Sequence, residues 1–61
     1  MTLYTYLLAD DYGSYDSVSC FLRIDVGKPI YWKWDPATQD TKKWTVKAVL
    51  HTREVKDEQA H

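Results

Sequence analysis

Apolar and polar residues alternate with a period of two along most of the chain, and nowhere is a period of 3.6 sustained. In "SVSCFLRID" Val18, Cys20, Leu22 and Ile24 fall on one face, while Ser19, Phe21 and Arg23 fall on the other, which predicts a half-buried strand. Gly27 in "DVGK" suits the positive φ of a short hairpin turn with a bulge, and Pro29 is tolerated as the first residue of the next strand. That strand, "IYWKW", sets Ile30, Trp32 and Trp34 inward and Tyr31 and Lys33 outward. "DPATQD" follows, with Asp35 and Pro36 in favoured turn positions. The same residues suit one helical turn, with Asp35 as N-cap and Pro36 first in the helix.

The last regular stretch is "KKWTVKAVLHTREV", in which Trp44, Val46 and Ala48 alternate with Lys43, Thr45 and Lys47. Val49 and Leu50 then break the alternation, and a bulge or sharp bend near Ala48–Leu50 accounts for the slip. The first strand is expected in "LYTYLL", residues 3–8, rich in β-favouring tyrosine and threonine. Its inward face is open between Leu3/Thr5/Leu7 and Tyr4/Tyr6/Leu8. Four or five short strands without a helix predict an all-β fold, a small antiparallel sheet or barrel. One domain is expected over residues 1–56, with a frayed, charged tail at 57–61.

An acidic, tyrosine-bearing loop "DDYGSYD" after the first strand, then "DVGKPI", then the Trp-led strand "KKWTVKAVL" give a layout that resembles Src-homology-three-like small β-barrels. The resemblance implies a barrel-like fold and is used for fold alone. The ALYDY-type start is absent, the tandem tryptophan is reduced to Trp44, and no proline precedes a terminal tyrosine.

Size limits the chemistry available. Sixty-one residues hide only ~60% of the surface their unfolded chain exposes, so the large aromatics have to supply the core. Cys20 is the only cysteine, so there is no internal disulfide, and with His51 and His61 it falls short of a zinc site. A lone thiol fits a reducing compartment. No basic residue precedes the short apolar stretch at the start, which argues against a signal peptide, and no apolar run approaches the ~20 residues of a membrane span. The expected location is the cytoplasm. Cys20 sits on the inward phase, where cysteine is usually an apolar filler. Asp10, Asp11 and Asp16 lie in a loop, and so short a chain has little material for the pocket that paired acids need. No enzyme, metal or cofactor is expected.

Charge divides the chain. Residues 1–26 carry Asp10, Asp11, Asp16 and Asp25 against Arg23, whereas residues 27–53 carry Lys28, Lys33, Lys42, Lys43, Lys47 and Arg53 against Asp35 and Asp40. Lys33, Lys43 and Lys47 beside Tyr31 have the makings of a nucleic-acid surface. The net charge of −1 counts against that use. Exposed lysines also serve to discourage edge-to-edge association. Trp32, Trp34 and Trp44 share the inward phase and are expected to form the core. Tyr12, Tyr15, Phe21 and Tyr31 then remain outside, and aromatics are enriched at protein interfaces. The leading expectation is a non-enzymatic protein-interaction module that uses those four residues. Nucleic-acid binding through Lys33, Lys43, Lys47 and Tyr31 is the alternative, and a structural subunit or homodimer is the third.

Overall fold

Four strands form where the alternation places them: β1 (Thr2–Ala9), β2 (Tyr15–Cys20), β3 (Pro29–Asp35) and β4 (Asp40–Glu54). The computed structural model describes residues 1–56; the charged tail expected at 57–61 lies outside the described residues. All neighbours pair antiparallel in one sheet of order β2-β1-β4-β3, curled into a half-barrel. No helix occurs among the described residues. The first and last strands are thus the central pair, and β2 and β3 are the two edges. The radius of gyration, 13.6 Å, exceeds the ~10.5 Å of a compact domain of this length, as a single curled sheet should.

β1 directs Tyr4, Tyr6 and Leu8 into the concave face, which settles the phase left open by the sequence. Tyr6, Leu8, Trp44 and Val46 form the buried cluster, with Tyr4, Val18, Cys20, Ile24, Ile30 and Trp32 packed against it. Each such side chain contributes ~1.5–3 kcal/mol when fully buried. Trp44 Nε1–H donates to the Trp32 carbonyl at 3.0 Å, and the two indoles tilt at 56° with centroids 6.3 Å apart.

"SVSCFLRID" does not continue as a strand to Asp25. β2 stops at Cys20, and residues 21–28 cross the concave face to the far edge of the sheet. The Tyr6 hydroxyl holds this crossover by donating to Leu22 O and accepting from Ile24 N–H, both at 2.7 Å. Ile24 therefore reaches the core, whereas Leu22, expected inside, is 70% exposed. Gly27 has the expected positive φ of 95°, but the turn it makes does not join two neighbouring strands. Lys28 N–H bonds Asp25 O at 3.2 Å, Gly27 N–H bonds Val46 O at 2.8 Å, and Val46 N–H bonds Lys28 O at 3.0 Å. Such a turn with glycine in the bulge position docks the crossover onto β4. Residues 36–39 form a turn and not a helix, with Asp35 Oδ1 accepting Ala37 N–H at 3.0 Å and Gln39 at φ 54°.

The slip in β4 is two bulges. Leu50 is the extra residue between Thr5↔His51 and Tyr6↔Val49, and Lys47 is the extra one between Leu7↔Ala48 and Leu8↔Val46. Val46 and Val49 consequently share the concave phase, and Ala48 moves to the convex one. Bulges bend and twist a strand, which is how one fifteen-residue strand curls through the half-barrel.

Candidate functional site

A third bulge decides what β3 displays. Tyr31 pairs with Lys43 and Trp34 with Thr41, so Trp32 and Lys33 together stand against Lys42. Lys33 takes φ 68°, a left-handed conformation uncommon for a residue with a side chain. The extra residue reverses the phase of all that follows. Trp34, expected in the core, joins Tyr31 on the convex face and is 65% exposed. Lys33, expected outward beside Tyr31, bonds Asp16 Oδ2 at 2.8 Å with its Nζ 4.6 Å from the Trp32 ring centre. It joins the two opposite edges of the sheet, since Asp16 is on β2.

A second lysine repeats the arrangement one strand inward. Lys42 Nζ lies 2.8 Å from Asp10 Oδ2 and 4.5 Å from the Trp44 ring centre. Asp10 also accepts the N–H groups of Tyr12 at 2.9 Å and Ser14 at 2.8 Å, which shapes the β1–β2 loop. Its hydrogen bond from Lys42, helped by those two amides, lowers its pKa from 3.8 to about 2. Asp16 is lowered in the same way, by Lys33 first and then by Ser17 N–H. Because both carboxylates are more acidic folded than unfolded, they contribute stability above the unfolded value that is lost as pH falls through the folded one. The denaturant midpoint is expected to fall between about pH 5 and pH 2, and Asp10→Asn to flatten that fall while lowering the midpoint at neutral pH. An unchanged slope in the variant would assign the acid sensitivity to other groups.

Among the described residues the convex face has no second layer. Residues paired across strands project on the same side, so the face carries Tyr15, Ser17 and Ser19 of β2, Leu3, Thr5 and Leu7 of β1, His51 and Arg53 of β4, and Tyr31 and Trp34 of β3. Tyr15 and Tyr31 are each 66% exposed. Lys43 stands beside Tyr31 on this face. Of the four expected contact residues, Tyr15 and Tyr31 share the convex face, one at each edge of the sheet, and Trp34 joins Tyr31 there. Tyr12 stands at the loop tip, 87% exposed, and Phe21 opens the crossover, 48% exposed, off that face. Of the three lysines proposed for nucleic acid, Lys43 is beside Tyr31, Lys47 is an exposed bulge residue, and Lys33 is turned to the concave side. Trp34 was hidden from sequence reasoning because a left-handed lysine has no composition signal, unlike glycine or asparagine.

Among the described residues no group of three or more His, Cys, Asp or Glu could hold a metal ion, and no helix is long and apolar enough to cross a membrane. Comparison with protein-family models, curated proteins and solved structures finds no match to this chain, so the site is read from its own geometry.

Proposed function

We propose that the chain is a non-enzymatic protein-interaction module that binds through the convex face of its sheet, around Tyr15, Tyr31 and Trp34. One observation carries the reading: a single-layer sheet keeps three aromatics about two-thirds exposed on a face that no other described residues cover. Sheets ordinarily bury such a face against another layer, and exposed aromatics are the residues that dominate protein interfaces. The curled four-stranded architecture is compatible with a Src-homology-three-like barrel, and the proposal extends that likeness to fold alone.

The test is a photo-reactive phenylalanine placed singly at Tyr31 and Trp34, irradiated in an extract of the source cells with and without nuclease. Nuclease-resistant protein adducts at both positions, absent when the group replaces Lys28, are the expected result. Alanine at Tyr31 or Trp34 should weaken the captured complex by roughly 30-fold, the loss of a ~2 kcal/mol hot spot. Neither change should move stability by more than ~0.5 kcal/mol, since both side chains are exposed. Adducts that consist of nucleic acid would instead support the alternative. With Lys33 paired to Asp16, two lysines remain, and the logarithm of affinity should then fall with that of salt at a slope of about −1.4.

A further inference from the structure

Val49 lies on the core-facing phase of β4, opposite the fully buried Tyr6, yet is 44% exposed. Its exposure follows from where β3 begins. Pro29 pairs with Thr45, and the Gly27 turn carries the chain away beyond Val46. Among the described residues no backbone hydrogen bond reaches β4 from the crossover beyond Val46. Among the described residues, the outer half of β4 is a strand edge with no neighbour on the β3 side.

That edge is usable over His51–Glu54. Leu50 and Lys47 are bulges, but the pairing is regular from His51 onward. Val55 N–H bonds Met1 O at 2.8 Å, so Met1↔Val55 is a hydrogen-bonded pair. Alternation then directs the N–H and C=O of Thr52 and Glu54 away from β1, toward the open side. Next to this edge lies a cavity of about 260 Å³ lined by Tyr4, Tyr6, Ile24, Val26, Val49 and Thr52. It is smaller than the ~300–1,000 Å³ of drug-sized ligand sites and suits a few side chains of an extended segment. The crossover also brings Arg23 and Asp25 to it, whose charges cancel.

We infer that this edge and cavity form a second binding site, in which an extended segment of another protein, apolar and acidic at alternate positions, adds as a strand beside β4. Thr52 and Glu54 supply the main-chain bonds, and every second side chain of the segment enters the cavity, as in other strand-addition sites. The intervening side chains come beside His51 and Arg53, which project on the opposite face, and an acidic residue complements the Arg53 guanidinium. A second copy of this chain fits poorly. Of the two-fold antiparallel registers that use Thr52 and Glu54, one sets Arg53 against itself and one sets Glu54 against itself, and like charges directly opposite are destabilising; the third sets Thr52 against itself and gives Arg53 no carboxylate partner. The site shares with the proposed function the premise that this chain binds protein, but it uses none of the convex-face aromatics.

The probe is an acetylated, amidated hexapeptide, Val-Glu-Leu-Glu-Val-Glu, titrated into ¹⁵N-labelled protein beside its block isomer Val-Leu-Val-Glu-Glu-Glu. Saturable shifts at Val26, Val49, Thr52 and Glu54 are expected, with slowed exchange of the Thr52 and Glu54 amides, for the alternating peptide alone. Arg53→Glu should weaken binding by at least ~10-fold, and Val49→Lys should abolish it; both positions are exposed, and the variants' own spectra report whether they fold. Equal binding of the two peptides, shifts centred on Tyr31 and Trp34, or self-association of the protein at this edge would each overturn the inference. The adducts at Tyr31 and Trp34 are read separately, so loss of this site leaves the convex-face reading standing, and the reverse.

Discussion

Trp44→Ala is expected to leave the chain unfolded at room temperature. Trp44 is 4% exposed and joins β4 to β3 through the indole contact and the bond to Trp32 O. Truncating a buried tryptophan costs ~3–5 kcal/mol, and a core of this size rarely supplies more than ~3–5 kcal/mol in total. The variant should show collapsed amide dispersion in an NMR spectrum and no cooperative transition in urea. A dispersed, native-like spectrum would mean that the core does not depend on the Trp44 indole.

Tyr6→Phe should have the second-largest effect, by detaching the crossover. The ring stays buried, but Leu22 O and Ile24 N–H lose their shared partner. A fully buried group so orphaned costs ~1–3 kcal/mol; these two are part-buried, so the sum is lower. The denaturant midpoint should fall, and amide exchange at Ile24 should accelerate more than at Leu8 or Val46. Exchange that rises equally everywhere would show that the hydroxyl acts on global stability and not on the crossover.

The strands, the positive φ of Gly27 and a bulge late in the last strand were all legible in the sequence, because each depends on local chemistry, whereas residues 35–40 suited a turn and a single helical turn alike. Period-two patterning also marked Trp44, Val46 and Val18 as inward. What escaped was set by tertiary contacts. The order β2-β1-β4-β3 rests on β1 pairing with β4, which no local pattern encodes, and it turns an expected hairpin into a crossover. The inward face of β1 was ambiguous because Leu3 and Leu7 on the convex side are as apolar as the core residues. The site was half legible: Tyr15 and Tyr31 were found outside, but the Lys33 bulge that brings out Trp34 and hides Lys33 has no residue-type signature.

The two central strands are the first and the last of the four in chain order. During synthesis β1 and β2 are free to pair as a hairpin, but Tyr6 and Leu8 have nothing to close upon until Trp44 and Val46 follow. An isolated hairpin is marginal in water, so the nascent chain carries an exposed tyrosine and leucine stripe until β4 emerges, at about 5–20 residues per second. The sheet therefore cannot close before β4 has emerged, and the long-range β1–β4 register forms last. Any factor that shields Tyr4, Tyr6 and Leu8 during those seconds acts on the yield of the protein and leaves its final stability unchanged.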